Sequence, residues 1–66
     1  MFAERLKHEL KNNDITMYRL AKDLKLSKQT VVNWCNGANE PKASQIVKLC
    51  RYFDCSADYL LGLSEI

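Results

Sequence analysis

The chain predicts an all-α fold, and three observations carry that prediction. Apolar residues recur at three- and four-residue spacing along nearly the whole sequence. Thr16, Ser27 and Ser56 each stand directly ahead of such a stripe, where a hydroxyl caps the first free N–H groups of a helix. No segment shows the two-residue alternation of a half-buried strand. Sixty-six residues make one domain, spanning residues 1–66, with a small core and correspondingly marginal stability.

Helix 1 is predicted from Phe2 to Asn12, because Phe2, Leu6 and Leu10 fall four apart on one side. Glu4, Arg5, Lys7, His8 and Lys11 occupy its other faces, where Lys11 and Arg5 could approach a nucleic-acid backbone but suit a solvated face better. Asn12-Asn13-Asp14 is a turn cluster. Thr16 caps the next helix, in which Leu20, Ala21 and Leu24 form the apolar side. Lys25 and Leu26 connect it to a third helix, capped by Ser27 and stopped by Gly37. There Val31, Trp34 and Cys35 lie at i, i+3 and i+4, a buried stripe. The polar run 38–42 is closed by Pro41, because the residue before a proline avoids the helical region. Helix 4 follows from about Ala43 to Phe53, with Ile46, Leu49, Cys50 and Phe53 inward and Val47 beside them. Ser56 caps helix 5 and Gly62 ends it, with Leu60 and Leu61 expected to pack inward. Leu63 and Ile66 form a tail with little left to bury them.

The stretch 16–37 organises the rest. Its second helix is held by its apolar stripe and displays Lys28, Gln29, Thr30, Asn33 and Asn36 on the remaining surface. Amides, a hydroxyl and a lysine are the groups that read base edges in a DNA major groove. Spacing alone fits a helical hairpin with a solvated polar face equally well. The formal charge of +2 is weak, but its placement is uneven. Residues 16–36 hold Arg19, Lys22, Lys25 and Lys28 against Asp23, a local charge of +3. Residues 45–66 hold Lys48 and Arg51 against Asp54, Asp58 and Glu65, a local charge of −1. Positive charge therefore collects where a phosphate-facing surface needs it.

The pattern Thr-x-x-x-Leu-Ala-x-x-Leu-x-Leu-Ser-x-x-Thr-Val-x-x-Trp-x-x-Gly from Thr16 to Gly37 resembles the Cro/cI-type (lambda-repressor-like, Xre) helix-turn-helix family. The likeness extends over Phe2-x-Glu4-Arg5-Leu6-Lys7, Pro41, Ile46-Val47-Lys48-Leu49, Tyr52-Phe53 and Ser56 to Gly62, nearly the whole chain. It implies a five-helix bundle that binds an inverted-repeat DNA operator, usually as a homodimer. It also implies that the second helix of the motif enters the major groove while the first crosses the backbone. By that resemblance Lys28, Gln29, Thr30 and Asn33 face bases, and Thr16, Tyr18, Arg19, Asn36 and Lys42 face phosphates. Met17 departs from the family, which usually carries a phosphate-binding glutamine there. Asp14, Lys25 and Asp54 stand where glycine is common. Leu10 and Cys35 stand together where an arginine–glutamate bridge is frequent, an apolar replacement that is often neutral or stabilising.

The expected function is a small Cro-like or repressor-type transcriptional regulator. Alternatives are a restriction–modification controller, an antitoxin acting on its own promoter, or an interaction module that has lost DNA binding. Neither paired carboxylates, an activated nucleophile nor a Gly-rich phosphate loop can be assembled, so no enzyme, cofactor or small-molecule ligand is expected. His8 has no ligand-spaced companion, so no metal is expected. Cys35, Cys50 and Cys55 contain no C-x-x-C pair and read as reduced, mostly buried small hydrophobes, with a redox switch as the minor alternative. No signal peptide or membrane span is seen, which points to a cytoplasmic protein.

Overall fold

The computed structural model describes residues 2–66 and holds five helices among them, with no strand. They are α1 (Phe2–Asn12), α2 (Met17–Leu24), α3 (Lys28–Cys35), α4 (Ala43–Phe53) and α5 (Ala57–Leu60). Thr16, Ser27 and Ser56 cap α2, α3 and α5, each hydroxyl accepting from the backbone N–H three residues on. Lys42 begins α4 differently. Its backbone N–H donates to Gln45 Oε1 at 2.7 Å, and its ammonium takes no part in the cap.

The core collects one face from every helix: Phe2, Leu6 and Leu10; Leu20 and Ala21; Val31, Trp34 and Cys35; Leu49 and Phe53; Leu60. α3 packs against α2 and α1, and α5 against α1 and α4. Trp34 meets Phe2 edge to face with ring centroids 6.5 Å apart, locking the far end of α3 onto α1. Leu10 and Cys35 are both in this buried cluster, as expected of an apolar pair in place of an ion pair. Leu61 is different from expectation. It lies just past the last turn of α5 and is 40 % exposed, because Leu60 alone takes the inward position there. Ile46 and Cys50 only half-enter the core, and Val47 faces solvent.

Each helix ends in the same way. A residue with positive φ follows it: Asp14, Lys25, Gly37, Asp54 and Gly62. The next N–H then reaches back five residues to the last turn, closing a six-residue turn, as in Ile15 to Leu10, Leu26 to Ala21, Ala38 to Asn33, Cys55 to Cys50 and Leu63 to Asp58. Three of the five left-handed positions carry a side chain, so the turns keep their shape without glycine. Asp accepts this backbone fairly readily; Lys does so at a cost of about 1–2 kcal/mol.

The tail beyond Gly62 is fastened. Arg5 donates from Nη1 to the carbonyls of Tyr59 and Ser64, both at 2.9 Å. Its Cζ lies 4.4 Å from the Tyr59 ring centroid, and Nη2 is 3.6 Å from Glu65 Oε2. Ser56 Oγ donates to the Ile66 carbonyl at 3.1 Å. Arg5 is thereby committed to the C-terminal segment.

Lys25, with φ of 58°, gives the sharpest test of the helix-ending turns. Lys25→Gly relieves the left-handed penalty but frees the unfolded chain, so a net gain of roughly 0.5–1 kcal/mol is expected in urea melts. Lys25→Ala retains the Cβ and should match the parent. Equal stability of the Gly and Ala variants would show that the turn carries no strain.

Candidate nucleic-acid interface

Three local features converge on the surface formed by α2 and α3. The first is a pair of open helix starts. Thr16 Oγ1 accepts from Arg19 N and Ser27 Oγ from Thr30 N. Each cap satisfies one N–H of its helix. The earlier N–H groups, of Met17 and Tyr18 in α2 and of Lys28 and Gln29 in α3, have no intrahelical acceptor. Such ends favour anions through both free donors and the helix dipole.

The second feature is the exposed polar side of α3. Gln29 Nε2 donates to Asn33 Oδ1 at 2.9 Å, one turn apart on the same face. The pair thus uses one donor and one acceptor on itself and leaves the Gln29 carbonyl and the Asn33 amide hydrogens outward. Thr30, half-buried, shares a 2.8 Å hydroxyl–hydroxyl hydrogen bond with Ser27, so its methyl is the part left to make apolar contacts. Lys28 is exposed at the start of the helix. Asn36 is engaged locally: its Oδ1 accepts from Ala38 N at 2.9 Å, shaping the turn after α3. Only its amide NH₂ is left to donate outward.

The third feature is a groove between the end of α1 and the starts of α2 and α3. Leu10, Ile15 and Met17 supply apolar lining, and Lys7, Lys11, Lys28, Thr16 and Tyr18 complete the wall. In the sequence Lys7 and Lys11 read as a solvated face, with approach to a DNA backbone as the lesser reading for Lys11. Their signal was an i, i+4 pair flanking the buried Leu6 and Leu10. Lys7 also acts on Cys35: burial pushes the Cys35 thiol up, and the nearby ammonium opposes that rise. Tyr18 is 63 % exposed beside this groove.

Arg19 is anchored rather than free. Its Nε lies 3.0 Å from Asp23 Oδ2, and the Tyr52 hydroxyl of α4 donates to the same oxygen at 2.5 Å. The Tyr52 bond, followed by Arg19, holds the Asp23 carboxyl below its usual range; burial and the carboxylate push the Tyr52 hydroxyl up. The cluster ties α2 to α4 and holds Arg19 beside Asp23 while its side chain stays exposed. The structure therefore brings Thr16, Tyr18 and Lys28 to one groove and pairs Gln29 with Asn33. Arg19 lies on its own cluster, and Lys42 stands exposed at the start of α4, on a separate element. Among the described residues no group of three or more His, Cys, Asp or Glu could hold a metal, and no helix is long and apolar enough to cross a membrane.

Comparison with known proteins places this geometry. A family model described as Helix-turn-helix matches residues 6–60. The chain is 31 % identical over 65 residues to YobD of Bacillus subtilis (strain 168), an uncharacterized HTH-type transcriptional regulator, covering 98 % of this chain and 58 % of YobD. It is 34 % identical over 59 residues to the HTH-type transcriptional regulator DicA of Escherichia coli (strain K12), covering 89 % of this chain and 44 % of DicA. The chain thus spans about half the length of these curated relatives. A crystal structure of a transcriptional regulator from Listeria innocua superposes with a TM-score of 0.88 at 29 % identity, over 94 % of this chain and 58 % of that one.

The Asp23 cluster carries a pH signature. Because the folded carboxyl titrates below its unfolded value, its contribution is complete above the ordinary carboxylate range. That contribution disappears as pH falls through the folded value. Tyr52→Phe is expected to destabilise the protein at neutral pH, with the deficit narrowing in acid. Urea melts of both proteins across that range check it; a deficit of constant size would assign it to packing.

Proposed function

Because this chain belongs to the Cro/cI-type helix-turn-helix family, we propose that it is a sequence-specific double-stranded DNA-binding transcriptional regulator of the small Cro-like or repressor type. It binds an inverted-repeat operator as a homodimer. The observation that carries the proposal is the exposed Gln29–Asn33 amide pair on α3, flanked by two open helix starts and by lysines. In this reading α3 enters the major groove, and Lys28, Gln29, Thr30 and Asn33 face bases. The outward Gln29 carbonyl and Asn33 NH₂ match the donor and acceptor of an adenine N6/N7 edge. Thr30 offers its methyl to a thymine. Thr16, Tyr18, Arg19, Asn36 and Lys42 position the backbone. Met17 has no side-chain donor for a phosphate, and Lys7 and Lys11, which line the same groove, supply the missing charge.

Selection from random DNA provides the site on which this is tested. Binding to it is expected to weaken steeply with salt, because Lys and Arg displace condensed counterions. At saturation two chains should occupy each inverted repeat, which sedimentation measures. Salt-independent affinity would remove the docking surface named here, and one chain per site would remove the dimer.

Gln29→Ala or Asn33→Ala should each cost roughly 1–3 kcal/mol on the selected site and relax preference at one or two base pairs. Because the two amides share a hydrogen bond, the double variant should cost less than the two single losses combined. Asn36→Ala should weaken all sites about equally. A panel of single-base operator variants measures all of these. Unchanged base preferences in both single variants would move base reading to Lys28, Thr30 or Tyr18.

A further inference from the structure

We propose that Cys50 and Cys55 form a dithiol that hydrogen peroxide closes reversibly into an intramolecular disulfide, clasping the end of α4 to the start of α5. The argument begins with the backbone. Asp54 has φ of 54°, and the Cys55 N–H reaches back to the Cys50 carbonyl at 3.0 Å. That six-residue closure places the first and last side chains of the turn against one another, which is why apolar pairs commonly fill these two positions. In this chain the equivalent positions after α1 and α2 are Leu10 with Ile15 and Ala21 with Leu26, both apolar pairs. After α4 both are cysteine. The fold thus supplies the proximity a disulfide needs, although the spacing resembles no redox motif.

The sulfurs are also placed to react. Both residues are free thiols and partly exposed, whereas Cys35 is 5 % exposed within the core between α1 and α3. Burial, then the neighbouring Cys50 sulfur, then Glu9, push the Cys55 thiol up to about 11. Cys55 therefore keeps its proton while Cys50 reacts first. The Cys50 thiolate attacks one peroxide oxygen, the O–O bond breaks, and the departing hydroxide takes up a proton to leave as water. Cys50 is then a sulfenic acid, and its negative charge is gone. Cys55 attacks that sulfur, the S–S bond forms and the S–O bond breaks. The leaving hydroxide takes the Cys55 proton and departs as a second water. Two thiols and one peroxide thereby yield one disulfide and two waters.

The test treats the folded chain with a stoichiometric amount of hydrogen peroxide, then denatures and alkylates it. The expected product is a monomer that has lost two hydrogen atoms and retains one alkylatable thiol of the three, mapped by peptide mass to Cys35. Dithiothreitol should restore all three. Cys35→Ser should still close the bond, while Cys50→Ser and Cys55→Ser, which conserve size in a partly exposed turn, should not. Three alkylatable thiols after treatment, a bond that includes Cys35, a disulfide between chains, or over-oxidation of Cys50 without closure would each overturn the proposal.

Discussion

A left-handed residue after each helix is the constraint on which the rest of this structure depends. Five short helices must reverse direction within 65 described residues, and every reversal uses one positive-φ position and one six-residue hydrogen bond. The turn at Asp14 sets where α2 begins, and hence where its open N–H groups point. The turn at Lys25 fixes α3 against α2. Each closure also brings two side chains together at no further chain-entropy cost. Leu10 with Ile15 and Ala21 with Leu26 use that contact to extend the core, the first pair also lining the groove. The strain of three non-glycine left-handed residues, about 1–2 kcal/mol for a residue such as lysine, is offset by these contacts and by the backbone hydrogen bonds they accompany.

The candidate interface follows from the same arrangement, because no side chain in it is positioned by a long loop. Ser27 caps α3 and also orients Thr30; Asn33 orients Gln29; Asp23 orients Arg19, and is itself held from α4 by Tyr52. These supports are short-range and lie mostly on one element, so the polar surface keeps its geometry while its outward atoms stay solvated. A solvated surface of this kind exchanges water for base edges and phosphates at small cost, provided that its donors and acceptors find partners. Leu10, Ile15 and Met17 line the same groove as Lys7, Lys11 and Lys28, so apolar surface and positive charge lie side by side there.

Much of this was legible in the sequence, and the divisions between legible and hidden are physical. Helix limits were readable at Thr16, Ser27 and Ser56 because a cap is a local event, decided within four residues. The buried stripes of α1 and α3 were readable because their period matches the helix. What stayed hidden depends on separation along the chain. Tyr52 meets Asp23 across 29 residues, and Arg5 meets Ser64 across 59, so no window contains both partners. Leu61 read as buried because a four-residue helix has too little length for its periodicity to separate inner from outer positions. The Cys50–Cys55 juxtaposition was hidden for another reason. A left-handed Asp54 was foreseeable, but the turn it closes brings together two residues five apart, a spacing that matches no redox motif.

The C-terminal segment shows how such a distant contact changes the meaning of a local one. By composition, Leu63 and Ile66 describe a frayed tail, and they are indeed 76 % and 89 % exposed. Yet Arg5 holds the carbonyls of Tyr59 and Ser64, and Ser56 holds that of Ile66. Exposed apolar side chains on a fastened backbone differ from those on a free one, because less ordering entropy remains to be lost when a second surface covers them. Leu61, beside them in sequence, is also turned outward. The entropic cost of covering these side chains is thus lowered. In the proposed two-fold complex the polar face of α3 would meet DNA, and this fastened apolar segment would be available to a second copy.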